Sequence, residues 1–405
     1  MADKNQLKFP NQFLWGCATS AHQVEGGLTN DWSEWEKSER RSNYLQKLNR
    51  NPADFVSGLA ANSFVEQNAD IACLKELNLN AYRFSVDWSR IEPQQGVFDE
   101  TALETYLEFI KKLRASGIEP LVTLWHWPIP LWARDLGGWQ SSKIIEPFCR
   151  FVEKTVNYLN VEVNFWITLN EPMVYTSQSY LGGIWPPQKK NLVAYYQVIN
   201  NLATAHRRAY DIIKGIDNNN QIGIAKHNIY FEAKDNKFIN RLLKTVADWW
   251  WNERFLNKIK DKQDFIGLNY YFHNLINYNF GRKYDYAKKS DMGWGLHPEG
   301  IYYLLKDLKK YNKPIYITEN GLADKGDQHR SWYINEILKN VHKAIEADVD
   351  IKGYFHWSLI DNFEWSDGFE PRFGLFEVNF QTFERLARPS AQVYADICRN
   401  NRIFN

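Results

Sequence analysis

The 405-residue sequence is poor in cysteine and has no long apolar run, and both shortages exclude classes of protein. The four cysteines lie far apart and form no Cys-x-x-Cys pair, so neither a zinc ribbon nor a redox pair is predicted. No apolar run approaches the length that crosses a bilayer, and the first residues, MADKNQLKFP, contain no apolar core of a secretion signal. We therefore expect a cytoplasmic protein with reduced thiols and no membrane partner.

An excess of charge is also missing, because 49 Lys and Arg residues face 48 Asp and Glu residues. No basic stripe is present that could follow a phosphate backbone, so nucleic acid is not expected as a partner. The histidines show no His-Glu-x-x-His or similar spacing, and neither a metal nor another cofactor is predicted. Aromatic residues, by contrast, are abundant, with 17 Trp, 22 Tyr and 24 Phe. Composition alone favours a ring-rich core over a sugar site in which rings stack on sugar faces.

Short apolar runs that alternate with helical patterns organise the chain. Such runs are typical of parallel strands that are buried on both faces. No linker or change of composition divides the sequence, so one domain is predicted over residues 1–405. The predicted strands are Phe13–Ala18, Ala81–Val86, Pro120–Trp125, Phe165–Leu169, Ile222–Ala225, Phe265–Asn269, Ile315–Thr318 and Gly353–Trp357.

Helix signals support the same alternation. Thr101 and Glu104 have the spacing of a capping box, and Gly117 supplies a stop after the apolar stripe that follows them. Eight strand–helix repeats predict the α/β class and a single (β/α)8 barrel. An open doubly wound sheet would show the same alternation, but no glycine fingerprint follows the first strand.

Two glutamates stand at the ends of predicted strands, where a barrel of this kind carries its catalytic residues. Glu171 follows the fourth strand in the sequence NFWITLNEP, and Glu319 follows the seventh strand in PIYITENG. Glycoside hydrolysis needs two carboxylates that converge on one cleft. A separation of about 5–5.5 Å between them accompanies retention of configuration, and a wider gap accompanies inversion. The sequence alone does not give that separation.

The motifs around these glutamates, TLNEP at 168–172 and ITENG at 317–321, resemble those of glycoside hydrolase family 1, the β-glucosidase and β-galactosidase family. The resemblance covers nearly the whole chain, because FPNQFLWGCATSAHQVEG, AYRFSVDWSRIEP, TLWHWPIPLW, DFIGLNYY, GWGLHPEG and WSLIDNFEWSDGFEPRFGL follow in family order. It implies a retaining exo-β-glycosidase that acts on small-molecule β-glycosides or oligosaccharides without a cofactor. β-Glucosidase activity is implied first, together with β-galactosidase, β-fucosidase and secondary transglycosylation activities.

The resemblance also implies roles for individual residues. Glu171 would be the acid/base and Glu319 the nucleophile. Asn170 would bind the 2-hydroxyl of the sugar, while Arg83 and Tyr271 would support Glu319. An adjacent cation should keep Glu319 ionised. The negative charge of Glu319 should in turn raise the pKa of Glu171.

Further residues match the substrate-binding positions of the family. Trp357 would lie under the sugar ring, and Trp294 would line the aglycone side. The positions that match the glycone site are Gln23, His126, Trp127, Glu364 and Trp365.

The sequence departs from the family in length, and two alternative functions stay open. The stretch ADWWWNERFLNKIKDKQ leads directly to the sixth predicted strand, which predicts shortened loops and an open aglycone site. One alternative is a catalytically inactive sugar-binding barrel, although both glutamates are present. The other is a 6-phospho-β-glycosidase, in which Glu364 would repel the phosphate. The preferred sugar and the oligomeric state are not determined by the sequence.

Overall fold

A closed barrel of eight parallel strands forms the centre of the computed structural model, which describes residues 6–279 and 286–404. The barrel strands pair in chain order from β2 to β9, and β9 closes the barrel on β2. Two antiparallel pairs, β1 with β12 and β10 with β11, lie outside it. The strands are β1 (Gln6–Lys8), β2 (Leu14–Ala18), β3 (Ala81–Ser85), β4 (Glu119–Trp125), β5 (Phe165–Asn170), β6 (Gln221–Ala233), β7 (Ile266–Ile276), β8 (Ile315–Asn320), β9 (Ile351–Trp357), β10 (Phe376–Val378), β11 (Arg385–Ala387) and β12 (Arg402–Phe404).

Helices surround the barrel and fill the connections between its strands. The α-helices are α1 (Ala21–Val24), α2 (Asp31–Glu36), α3 (Glu39–Lys47), α4 (Gln67–Glu76), α5 (Trp88–Ile91), α6 (Glu100–Ala115), α7 (Leu131–Asp135), α8 (Ile145–Leu159), α9 (Pro172–Thr176), α10 (Leu192–Ile216), α11 (Phe238–Ala247), α12 (Arg254–Ile259), α13 (Gly300–Leu308), α14 (Arg330–Glu346) and α15 (Pro389–Asn400). Short 3₁₀ segments occur at Pro52–Phe55, Gly138–Gln140, Ser142–Ile144, Lys309–Tyr311 and Trp365–Asp367, and π-helical segments at Ser177–Gly182 and Asp248–Glu253. In the part of the chain that the structure describes, no helix combines the length and the apolar character needed to cross a membrane.

The barrel confirms the predicted fold and all eight predicted strands, but two strands are much longer than predicted. β6 continues to Ala233 and β7 to Ile276, and the two strands stay paired along this extension. The prediction stopped early because it sought strands that are apolar on both faces. Beyond Ala225 the sequence KHNIYFEA mixes polar and apolar residues, as suits a strand that rises out of the barrel and is only partly buried.

Helix α6 shows that the predicted capping box was wrong. The helix begins at Glu100, and the Asp99 side chain caps it by accepting a hydrogen bond from the Ala102 amide at 3.0 Å. Asp99, two residues before Thr101, satisfies the free amide of Ala102, so Thr101 lies inside the first turn. The predicted stop is confirmed, since the helix ends at Ala115 and Gly117 adopts φ +73°.

Large rings fill the barrel interior and small residues make space for them. A Cβ atom on Gly16 of β2 would overlap the Phe355 ring, so glycine is required where that ring crosses the barrel. Leu121, Ile167 and Phe265 fill other parts of the same interior. Trp357, at the end of β9, belongs to this interior cluster. The packed interior therefore forms the floor of the space above the carboxyl ends of the strands.

Candidate active site

A cavity of about 590 Å³ opens at the carboxyl ends of the barrel strands. Both Glu171 and Glu319 line it, while cavities of about 700 and 680 Å³ elsewhere in the protein contain neither. Arg83 does not line the cavity but is hydrogen-bonded to residues that do. The other predicted site residues in the cavity wall are Gln23, His126, Trp127, Asn170, Tyr271, Trp294, Trp357, Glu364 and Trp365.

Glu171 stands in the turn between β5 and α9, as the sequence predicted. It is the N-cap residue of α9, and Pro172 fills the first helical position with its fixed φ. Glu171 itself has φ +43°, a left-handed conformation that residues other than glycine rarely adopt. Trp127 and Trp365 share this feature, with φ values of +88° and +50°. Such backbone strain is typical of functional sites, where the surrounding structure holds it in place.

Glu319 is the second-last residue of β8 rather than beyond its end, because pairing with β7 continues to Glu319 and pairing with β9 to Asn320. The fully buried Arg83 forms an ion pair with Glu319, and the Tyr271 hydroxyl donates a hydrogen bond to it at 3.0 Å. Two residues later, a Cβ atom on Gly321 would overlap the carbonyl oxygen of Trp357. The glycine of the ENG sequence thus allows β8 and β9 to approach closely beside the carboxylate.

The two carboxylates have different electrostatic surroundings. Burial and the negative charge of Glu319 raise the pKa of Glu171 to about 8. Burial also raises the pKa of Glu319, but the Arg83 charge and hydrogen bonds from Arg83, Tyr271 and, least of these, Asn269 oppose that rise. We therefore expect the first proton taken up by the coupled pair to reside on Glu171.

A chain of hydrogen bonds fixes the orientation of Asn170 and the tautomer of His126. The Arg83 guanidinium donates to Asn170 Oδ1 at 2.7 Å, which leaves the Asn170 amide nitrogen facing His126 Nε2 at 2.9 Å. That nitrogen can only donate, so His126 Nε2 must accept and the ring proton must lie on Nδ1. Burial and the Arg83 charge hold the pKa of His126 well below its ordinary value, which keeps the ring neutral. Among the described residues, Nδ1 has no hydrogen-bond partner.

Gln23 and Glu364 form a second polar group on the cavity wall. The Gln23 amide donates to Glu364 Oε2 at 3.2 Å and to Asn362 Oδ1 at 3.0 Å, while Ser20 donates to Gln23 Oε1 at 2.7 Å. Burial and the charges of Asp367 and Glu319 raise the pKa of Glu364 well above its ordinary value. These contacts hold both side chains in place before any ligand enters.

Aromatic rings form most of the remaining wall. Trp127 packs against Trp365 and Trp185 with centroid distances of 4.5 Å in both cases. Trp357 lies nearly parallel to His126 at 6.0 Å. Trp294 contacts Phe272 at 4.6 Å on the side of the cavity formed by β7. Flat apolar faces bordered by hydrogen-bonding groups suit a sugar ring, whose faces are apolar and whose edges carry hydroxyls.

The sequence analysis did not identify Asn269 and Lys226 as site residues. The Asn269 amide donates to Glu171 Oε1 at 2.8 Å and accepts from Thr318 at 2.7 Å through Oδ1. Lys226 is buried close enough to interact with the Glu171 charge, and burial lowers its pKa to about 7. Both positions carried a signal, since Asn269 ends a predicted strand and Lys226 directly follows another.

One possible metal-ligand cluster occurs among the described residues, and it lies outside the cavity wall. Single ligand atoms of Glu232, His273 and His297 lie within 4.8 Å of one another. His273 already contacts Glu232 at 3.0 Å and Tyr286 at 3.1 Å. None of the three lines the cavity that contains the glutamates, so the cluster has no direct contact with that chemistry.

Comparison with known proteins identifies relatives over the full chain. Residues 5–257 and 237–403 match the family described as glycosyl hydrolase family 1. Beta-glucosidase A of Thermotoga maritima is 32% identical, with 98% of this chain and 99% of that protein covered. The alignment with it spans 451 positions against the 405 residues here, so at least 46 positions of the relative have no counterpart in this chain. The prediction of a shortened chain is confirmed relative to this protein.

Solved structures show the same similarity. A beta-glycosidase from Pyrococcus horikoshii has a TM-score of 0.90 and 37% identity, with 99% of this chain and 97% of that chain covered. The beta-glucosidase from Thermotoga maritima in complex with glucoimidazole has a TM-score of 0.90 and 31% identity, with 97% of this chain and 99% of that chain covered.

Proposed function

The chain belongs to glycosyl hydrolase family 1, and we propose that it is a retaining exo-β-glycosidase with β-glucosidase activity. The observation that carries this proposal is the asymmetry between two equally buried glutamates at one cavity. Glu319 is paired with Arg83 and Tyr271, whereas Glu171 has a pKa raised to about 8. One carboxylate is thus prepared to attack and the other to donate a proton.

In the first step, Glu319 attacks the anomeric carbon of the bound β-glycoside. The bond from that carbon to the aglycone oxygen breaks, and the proton of Glu171 passes to the leaving oxygen. The products are the free aglycone alcohol and a glycosyl ester on Glu319. The raised pKa of Glu171 supports this step, because the group stays protonated near neutral pH.

In the second step, water replaces the ester oxygen at the anomeric carbon. The Glu319 ester carries no charge, so one cause of the raised pKa of Glu171 is gone. Glu171, now a carboxylate, takes a proton from the water as its oxygen attacks, and Glu319 leaves as a carboxylate. Two inversions give net retention. A sugar alcohol that replaces water would give transglycosylation as a secondary activity.

The polar groups of the wall account for recognition of the sugar. One hydrogen of the Asn170 amide faces His126, and we assign the other to the 2-hydroxyl of the sugar. We assign the Nδ1–H of His126 to a further hydroxyl, and Gln23 with Glu364 to hydroxyls at the far end of the ring. Trp357 would stack beneath the ring, while Trp294 would line the aglycone side. Asp367 is a second acidic group in the cavity wall at the Glu364 end, and it disfavours a 6-phosphorylated sugar.

The remaining proposals concern the whole chain. We propose that residues 1–405 form one barrel domain in the cytoplasm, and that catalysis uses no metal, because both proton transfer and attack are supplied by carboxylates. Gluco-, galacto- and fucosides remain candidate substrates, since the polar groups at the far end of the site can serve more than one hydroxyl pattern.

The test is hydrolysis of aryl β-glucoside, β-galactoside, β-fucoside, 6-phospho-β-glucoside and α-glucoside, with nuclear magnetic resonance of the sugar anomer formed first. We expect release from unphosphorylated β-glycosides only, with the β-anomer first. An α-anomer first would contradict the double displacement. A folded protein that binds glucose in calorimetry but releases no aglycone would instead identify an inactive sugar-binding barrel.

A further inference from the structure

Helix α11 exposes the residues that a surface helix normally buries. Its only buried residue is the polar Asn240. Six large apolar side chains on α11 and the turn after it are between 38% and 72% exposed. We call this surface the α11 face, and its members are Phe238, Ile239, Leu242, Leu243, Val246 and Trp249. Their spacing places them along one side of a helix.

Polar contacts attach α11 to the protein. The Asn240 amide donates to Asp235 Oδ1 at 2.7 Å, and Asn240 Oδ1 accepts from the Tyr278 amide at 2.9 Å. The side of α11 that meets the protein is thus held by an asparagine, and the apolar side faces outwards. A contiguous apolar patch of this kind marks an interaction surface in a soluble protein.

Basic residues lie beside the α11 face. Lys237, Arg241 and Lys244 follow one another at intervals of four and three residues, which gives a second row along the helix. Residues 234–249 contain four basic and two acidic side chains, whereas the whole chain has a net charge of only +1. Lys244 pairs with Asp248 at 2.7 Å and Lys237 with Asp235 at 3.8 Å, and the segment keeps a net charge of +2 (four bases less two acids) beside the exposed apolar patch.

We propose that the α11 face docks on a lipid membrane surface that contains anionic lipids. An apolar stripe of Phe, Leu and Trp with a basic row beside it is the pattern of helices that lie in the bilayer interface. The apolar side chains would enter the boundary between headgroups and acyl chains, and the basic row would contact the headgroups. The sequence analysis predicted no membrane partner because it found no membrane-spanning or secretory segment, and a helix that lies on the surface needs neither.

A second copy of the chain suits this surface less well. A two-fold contact brings the same patch of both copies together. The basic row of one copy would then lie near the basic row of the other, with repulsion between them. An anionic lipid surface has the opposite charge and fits both the apolar stripe and the basic row.

The experiment is sedimentation of the purified full chain with vesicles of phosphatidylcholine alone or with roughly 30% phosphatidylglycerol. We expect the protein to partition at least about tenfold more strongly onto the anionic vesicles, and salt to weaken that preference. A folded protein that stays in the supernatant with both vesicle types would overturn the proposal.

Three double variants identify the surface that binds. Phe238→Ser with Leu242→Ser should abolish binding, and Lys237→Glu with Arg241→Glu should remove the preference for anionic lipid. The matched control is Val161→Ser with Leu386→Ser, which changes exposed apolar residues elsewhere and should bind like the wild type. Aryl β-glucoside hydrolysis should be unchanged in all three, which shows that they fold.

Equal losses in the control and the Phe238 variant would contradict the assignment to α11. Light scattering at the same protein concentrations tests the alternative that a second copy of the chain covers the α11 face. If the wild type forms a dimer, binds no vesicles and becomes monomeric in the Phe238 variant, a second copy covers the α11 face and the proposal is wrong.

Discussion

The ends of β5 and β8 carry the same residue in two different surroundings. Glu171 after β5 is 5% exposed and Glu319 in β8 is 4% exposed, so burial does not distinguish them. What distinguishes them is their partners. Glu319 has the Arg83 cation and the Tyr271 hydroxyl, whereas Glu171 accepts a 2.8 Å bond from the Asn269 amide and interacts with the buried Lys226.

The comparison teaches that one arginine can divide two similar carboxyl groups into an ionised and a protonated form. Each pKa unit of difference corresponds to about 1.4 kcal/mol of preference for one protonation state. Since Arg83 also orients Asn170, and Asn170 sets the tautomer of His126, one buried cation influences both the nucleophile and the sugar-binding groups. Substitutions at the two strand ends change each glutamate's surroundings separately.

Glu319→Gln should have the largest effect, because it removes the nucleophile. We expect kcat/KM to fall by at least about 10⁴-fold for every glycoside, whatever its leaving group. Initial rates with an activated aryl glucoside and with an alkyl glucoside measure this. The loss should be similar for both, and a variant that keeps a tenth of wild-type activity would show that another group attacks.

Glu171→Gln should cause a loss that depends on the leaving group. Departure of a poor leaving group needs the proton of Glu171, so kcat/KM for an alkyl glucoside should fall by about 10²–10⁴-fold. A dinitrophenyl glucoside leaves without protonation, and its first step should remain fast. The glycosyl ester should then accumulate, giving a burst of dinitrophenol in rapid-mixing measurements. Equal losses with both substrates would argue against Glu171 as the acid.

Arg83→Met should alter the β8 end by removing its charge while keeping a side chain of similar length. A cation favours the ionised carboxyl, so its removal should raise the pKa of Glu319 further. Glu319 would then be protonated at a higher pH, and the acidic limb of the plot of kcat/KM against pH should move to higher pH. We expect activity to fall about 10²-fold at neutral pH.

The matched control for Arg83 is Arg90→Met. Arg90 pairs with Glu25 at 3.0 Å and does not line the catalytic cavity. Its replacement should leave the acidic limb in place. If both variants shift the limb equally, the effect comes from general loss of structure and not from the charge next to Glu319.

The fold and the two glutamates could be predicted because their signals are local. Apolar runs identified the eight barrel strands, and TLNEP and ITENG placed Glu171 and Glu319 at strand ends. The extension of β6 and β7 was missed because a partly buried strand has no continuous apolar run. The capping residue Asp99 was missed because Thr101 offered a competing signal two residues later.

Other features depend on residues that are far apart in sequence. Asn269 contacts Glu171 only because β7 and β5 come together in the barrel, 98 residues apart. The tautomer of His126 follows from Asn170, whose orientation depends on Arg83. The exposure of Phe238 and Leu242 also could not be predicted, because their helical spacing is the same whether the stripe faces a core or the solvent.

Asn269→Ala should have the smallest effect. It should act mainly at the β5 end, because the Asn269 amide bonds Glu171 directly and contributes less than Arg83 and Tyr271 to lowering the pKa of Glu319. The Asn269 amide donates to Glu171 at 2.8 Å and stabilises the carboxylate, so its loss should raise the pKa of Glu171 above about 8. Glu171 would stay protonated to a higher pH. The alkaline limb of the plot of kcat/KM against pH should therefore move to higher pH by less than about one pH unit. Thr318→Val is the control, because it removes the 2.7 Å bond to Asn269 Oδ1 without touching Glu171. If the acidic limb moves as far as the alkaline limb in Asn269→Ala, this amide serves Glu319 as much as Glu171, and the two strand ends are less independent than their main contacts indicate.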